Sequence, residues 1–227
     1  MTSSASDTND DVPLRSIGSR RQGCCPCLTL DLQQDFNWLS RQMARQFLDH
    51  WRRGTRFNVK SHLMLLRTER LLIRPIQPAD LSAYAQIVAN PAVTKYLYDG
   101  VTHSPNEAAL YIADCINRYR STGISRYAVT LRSTGVFIGF CGMKELPDYI
   151  DFGYRYDPNY WGVGIATEAG QAVVNHARDT LQLSQLISWV QHGNVASAKV
   201  LRKLGFLHMT KHDENADWYK LTLHRYY

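Results

Sequence analysis

No apolar run in the sequence approaches the roughly 18 residues that a membrane-spanning helix needs, so no helical membrane span is predicted. The amino terminus, MTSSASDTNDDVP, lacks the basic-then-apolar order of a secretory leader. Arg20-Arg21 forms a twin-arginine pair, but Cys24, Pro26 and Asp31 interrupt the apolar stretch that an export signal would carry after it. Cysteines suited to pairing are scarce as well. There are five, an odd number, and three crowd into Cys24-Cys25-Pro26-Cys27, which excludes a disulfide framework. The cluster has no second pair nearby to complete the four ligands of a zinc site, so no metal is expected. A reducing, cytoplasmic home is the expectation. Charge is nearly balanced: 26 Lys+Arg against 20 Asp+Glu gives +6, divided evenly between residues 1–63 and the rest. Without a dense Lys/Arg stripe interleaved with aromatics, no specific nucleic-acid partner is expected.

What is present is the composition of a globular chain: 227 residues, 44% hydrophobic and 20% charged. Residues 1–30 hold few apolar groups and are expected to be disordered. Residues 31–63 read as an amphipathic helical extension. Phe36, Leu39, Met43, Phe47 and Trp51 recur at spacings of three and four on one face, with Arg41, Arg45 and Arg52 mostly opposite. Such a stripe fits packing on the main domain, on a partner chain such as a homodimer mate, or on a membrane surface. Residues 64–227 read as the main domain.

Within that domain, residues 67–76 predict a strand, and Leu81, Tyr84, Ile87 and Val88 a short helix that Asn90-Pro91 ends. Ser104-Pro105-Asn106-Glu107 is a capping box with proline at the first helical position, opening a helix that Gly123 stops. The apolar period then falls from 3.6 to 2. Residues 125–132, 136–146 and 149–156 predict three strands joined by turns at Ser133-Thr134-Gly135 and Pro147-Asp148. A helix over 164–181, a strand over 186–191, a helix over 195–203 and strands over 206–212 and 217–224 follow. The class is a mixed α/β sheet with helices on its faces.

Between strand and helix stands Tyr160-Trp161-Gly162-Val163-Gly164-Ile165-Ala166-Thr167-Glu168. Glycines there allow a tight elbow whose N–H groups gather at the positive end of a helix dipole, where a phosphate fits. A plain tight turn is the competing reading. No Gly-Lys-Ser/Thr follows, so this is not a Walker A loop, and the dinucleotide fingerprint is absent. After the next strand, Asn194-Val195-Ala196-Ser197 opens a helix that closes on Lys203-Leu204-Gly205-Phe206.

Taken together with Thr68-Glu69-Arg70-Leu71-Leu72-Ile73-Arg74, these segments resemble the GNAT superfamily of acetyl-coenzyme A-dependent N-acetyltransferases. They come closest to the Rim-type branch that includes ribosomal-protein N-terminal acetyltransferases. The resemblance covers residue 64 to about 224. It implies a splayed, mainly antiparallel sheet with the pantetheine arm of acetyl-coenzyme A beside strand 149–156. It also implies that the backbone amides of Gly162, Val163, Gly164, Ile165, Ala166 and Thr167 hold the pyrophosphate, with Tyr154 and Asn194 completing the cofactor site. Two positions depart from the family. Asn159 stands where Gln or Arg often helps the phosphates, and Leu201 stands where a tyrosine general acid often sits. The acid's role passes by resemblance to Ser197.

Acetyl transfer requires loss of a proton from the amine, a donor for the oxyanion and a proton for the departing thiolate. Asp151 is the leading base candidate, with Glu145 and His192 behind it, and backbone N–H near Tyr154 suits the oxyanion. Cys141 has no evident partner, which argues against a covalent thioester enzyme. The acceptor is expected to be a primary amine: a protein amino terminus, a lysine or a small amine. The alternative is a non-catalytic acyl-coenzyme A-binding or protein-interaction module on the same fold.

Overall fold

The computed structural model describes residues 64–97, 100–210 and 213–224. The expected disordered segment 1–30, with its cysteine cluster, and the helical extension 31–63 lie outside these residues.

Eight strands form one sheet: β1 (Leu66–Arg67), β2 (Leu71–Pro75), β3 (Arg126–Leu131), β4 (Phe137–Glu145), β5 (Ile150–Tyr156), β6 (Gln185–Gln191), β7 (Leu207–His208) and β8 (Ala216–Thr222). Their order is β1-β2-β3-β4-β5-β6-β8-β7. Among the described residues five α-helices accompany them: α1 (Leu81–Val88), α2 (Pro91–Thr94), α3 (Pro105–Thr122), α4 (Ile165–Asp179) and α5 (Val195–Lys203). The mixed, mainly antiparallel class is as expected. β3–β4 and β4–β5 are the predicted hairpins, and β2 joins them antiparallel on β3.

Three local expectations change. The single strand over 67–76 is two, because Thr68 turns the chain: its N–H reaches the Leu71 carbonyl at 3.0 Å, and its hydroxyl accepts from the Leu71 N–H at 3.0 Å. β1 then folds back antiparallel on β2, with Leu66 opposite Ile73. Asn90-Pro91 not only ends α1 but starts α2, since the Asn90 side chain accepts from the Ala92 N–H at 2.9 Å. Of the strand over 206–212, β7 takes Leu207 and His208, residues 206, 209 and 210 are not strand, and 211–212 lie outside the described residues. The capping box is as read: Ser104 and Glu107 satisfy one another's backbone N–H, and Gly123 closes α3 at φ 75°.

The sheet is buried on both faces. On one, Leu71, Tyr127, Met143, Phe152, Leu186 and Tyr219 pack with Ile165, Val173 and Ala177 of α4 and Leu201 of α5. On the other, Ile76, Ala128 and Phe140 pack with Tyr84 of α1 and Ile112 of α3. α4 and α5 meet closely, for a Cβ on Gly170 of α4 would lie 2.6 Å from a methyl of Leu204. Among the described residues no helix is long and apolar enough to cross a membrane.

The decisive feature is the β5–β6 pair. It is the parallel contact in an otherwise antiparallel sheet, and its register consists of Asp151 opposite Ile187 alone. Past that point the two strands part. The gap opens toward their carboxyl ends, where open α/β sheets place ligands.

Candidate active site

The elbow stands at the open end of the gap. Asp157 accepts from the Asn159 N–H at 2.9 Å, and the Trp161 indole N–H donates to the Tyr156 carbonyl at 2.9 Å, tying the loop to the strand it leaves. Gly162 and Gly164 adopt φ of 77° and 85°, a region that side chains with a Cβ avoid. A Cβ on Gly162 would have no neighbour within 4 Å, so the space over the loop is open. The first bond that closes α4 runs from the Glu168 N–H to the Gly164 carbonyl at 3.0 Å. The N–H groups of Ile165, Ala166 and Thr167 therefore have no partner within the helix, and Gly164 offers no side-chain cap. Open space over clustered donors at the start of a 15-residue helix fits a pyrophosphate.

Behind the loop is a network that no local reading of the sequence suggested. Glu168, in the first turn of α4, accepts from the Thr68 hydroxyl at 2.5 Å, the Arg70 backbone N–H at 3.0 Å and Arg70 Nε at 2.6 Å. Arg70 Nη1 also donates to the Val163 carbonyl at 2.9 Å. Burial alone would push the Glu168 carboxyl up, but these donors hold it below its ordinary value. The β1–β2 turn is thereby fastened to the elbow.

Deeper in the gap, Tyr154 of β5 reaches α5. Its hydroxyl lies 2.9 Å from Ser197 Oγ and 3.1 Å from the Ser197 carbonyl. Burial pushes the Tyr154 phenol well up, so it remains protonated. Asn194 caps α5 by accepting from the Ser197 N–H at 3.1 Å, which fixes the serine's position. Leu201 is fully buried in the core. The two hydroxyls thus meet across the gap, a pairing between positions 43 apart in the chain.

Asp151 is placed differently from a free base. Its carboxylate is paired with the Arg126 guanidinium, and both side chains are nearly buried. Burial pushes its carboxyl above the ordinary range, against the pull of Arg126. Arg126 Nη1 also donates to the Gly142 carbonyl at 2.7 Å and the Asp151 carbonyl at 3.1 Å. The guanidinium lies so close over Gly153 that a Cβ there would be 2.9 Å from it. Glu145 pairs with Ile150, beyond the closed end of the gap. His192 is half exposed, 3.6 Å from Asp217. Cys141 is fully buried, and burial pushes its thiol up to about 12, which keeps it from acting as a thiolate.

On the face toward α1 and α3, Arg155 of β5 donates to the Tyr84 hydroxyl at 2.9 Å and lies over the Phe140 ring at 5.5 Å. Arg155 Nε and, on β6, Gln191 Oε1 are buried without a hydrogen-bond partner.

Comparison with known proteins agrees with this fold. Residues 70–207 match the family described as "Acetyltransferase (GNAT) domain". The chain is 30% identical over 145 residues to p20, an uncharacterized N-acetyltransferase of Bacillus licheniformis, covering 62% of this chain and 81% of that one. It is 26% identical over 137 residues to the spermidine N(1)-acetyltransferase of Escherichia coli K12, covering 59% of this chain and 71% of that one. In fold it is similar to RimL, a ribosomal L7/L12 alpha-N-protein acetyltransferase solved with coenzyme A. The TM-score is 0.61 at 17% identity, over 70% of this chain and 98% of that one. The chain belongs to the GNAT family and is an N-acetyltransferase whose co-substrate is acetyl-coenzyme A.

Proposed function

We propose that the chain acetylates a primary amine by direct transfer within a ternary complex, with the Tyr154–Ser197 hydroxyl pair as the acid. That pair carries the reading. The departing thiolate needs a proton, Leu201 cannot supply one, and the pair stands in the gap beside β5. As the thiolate leaves, Ser197 protonates it while Oγ takes the Tyr154 proton, and the proton that the amine releases through solvent restores the phenol. The elbow from Gly162 to Thr167 holds the pyrophosphate. N–H groups on the unpaired edge of β5, around Tyr154, are available to the oxyanion. The buried, high-pKa Cys141 supports transfer without an acyl-enzyme.

The acceptor approaches from the α1/α3 face, where Arg155 and Gln191 hold polar atoms ready for a partner. Asp151 is the one carboxylate on β5 and β6, and it is bound to Arg126. In this reading it positions that guanidinium, and the amine gives its proton to solvent. An α-amino group, with an ordinary pKa of about 7.7–8.0, does so far more readily near neutrality than a lysine at about 10.4. That favours a Rim-like amino-terminal acceptor, and a cytoplasmic setting goes with it.

The test is kinetic. Ser197→Ala and Tyr154→Phe should each lower kcat by about 10²-fold while leaving the coenzyme A dissociation constant in place. The double variant should fall little further, because the two act as one unit. Initial-velocity plots should intersect. Full turnover in both single variants would remove the pair from the mechanism.

A further inference from the structure

We infer that Arg70 is a positioning residue for the cofactor's pyrophosphate: by gripping the Val163 carbonyl from outside the elbow, it aims the Gly164 N–H inward. The geometry follows from the peptide bond. Val163 C=O and Gly164 N–H belong to one planar, trans unit and point in opposite directions. A donor that fixes the carbonyl on one side fixes the N–H on the other. Arg70 Nη1 does this at 2.9 Å. Loops flanked by glycines resist such fixing poorly, since Gly162 and Gly164 on either side of Val163 leave its peptide units free to rotate.

The grip is itself anchored. Arg70 Nε is held by Glu168 at 2.6 Å, its backbone N–H by the same carboxylate at 3.0 Å, and that carboxylate by the Thr68 hydroxyl. Glu168 belongs to the helix that the elbow opens, so loop, helix and β1–β2 turn form one closed frame. A charged donor on the carbonyl also polarises the peptide unit and strengthens the opposite N–H as a donor. The frame supplies from behind what Asn159, exposed and short, does not supply from the front. A guanidinium can hold a carboxylate and a carbonyl at once through separate nitrogens, and an ammonium on a flexible stem does so poorly.

This inference rests on the reading that the elbow holds the pyrophosphate, and the experiment separates the two. Affinity for coenzyme A is measured by calorimetry on the full chain, and KM for S-acetylpantetheine, which lacks the pyrophosphate, by thiol release. Arg70→Met should weaken coenzyme A by roughly tenfold or more, the scale of a hydrogen bond to a charged group, and leave the S-acetylpantetheine constant in place. Arg70→Lys should keep the melting temperature through its pairing with Glu168 yet lose coenzyme A affinity nearly as far. Unchanged coenzyme A affinity in either variant overturns the inference. So does an equal loss for both ligands in Arg70→Met, which would mark general loosening of the site. Gly162→Asp serves as the control on the underlying reading, since a side chain there enters the open space over the loop and sets a carboxylate against the pyrophosphate. If that variant binds coenzyme A normally, the elbow is not the anchor and the inference falls with it. If only the Arg70 variants bind normally, the elbow reading stands and the role of Arg70 is overturned.

Discussion

Two carboxylates show how one residue type takes two roles according to its neighbours. Glu168 meets three donors near the surface, and its pKa is depressed in the fold. A depressed acid stabilises above its unfolded pKa and loses that contribution as pH falls through the folded value. The melting temperature of the native chain should therefore exceed that of Glu168→Gln at about pH 6–7 and converge with it only as pH falls through the depressed folded value, below which both side chains are neutral. Asp151 meets one guanidinium in the interior. Removing its charge strands Arg126 at 11% side-chain exposure, so Asp151→Asn should cost about 3–5 kcal/mol by denaturant titration, the scale of breaking a buried pair. A free catalytic base at that position would instead show a small stability change and a flattened rise of the pH–rate curve from low pH.

At the scale of elements, α3 depends on its own ends. Ser104 Oγ accepts from the Glu107 N–H at 3.3 Å, and Glu107 answers on the Ser104 N–H at 2.7 Å. Ser104→Ala should lower stability by about 1 kcal/mol in thermal melts, since the cap is exposed and bonds within its own turn. Such features are legible in the sequence because cap, box and stop lie within a turn of one another. So were the glycine elbow and the Asn194 cap of Ser197. The β1–β2 turn was not. Thr68 closes it locally on Leu71 and fastens it to Glu168, 100 positions away, and that second contact is one no local periodicity encodes. The pairing of Arg126 with Asp151 across 25 positions, and of Tyr154 with Ser197 across 43, escaped for the same reason. The sequence offered the Ser197 hydroxyl and the Asp151 carboxylate, but only the fold shows the first meeting Tyr154, where α5 lies against β5, and the second neutralised by Arg126, through the register of β3, β4 and β5.

For the whole molecule, residues 64–227 should fold cooperatively and bind coenzyme A without the first 63. Both faces of the sheet find their cover within 64–224, and Met64 is already buried with its N–H on the Tyr119 hydroxyl at 3.0 Å. Aggregation of the shortened chain, or loss of its single melting step, would show that the extension completes the core. The close approach of Gly170 to Leu204 has a consequence at this scale. α4 begins at the elbow and α5 begins beside the hydroxyl pair, so in the proposed reading the contact between them works as the hinge pin of a caliper whose jaws span the cofactor from diphosphate to sulfur. Adding one methyl at Gly170 forces Leu204 or a whole helix to yield, at a cost of about 1–3 kcal/mol. If the helix yields, the jaws are reset. A folded Gly170→Ala protein should then grip either end of coenzyme A tolerably and lose turnover on the intact thioester, its gauge no longer matched to the length of the molecule it measures.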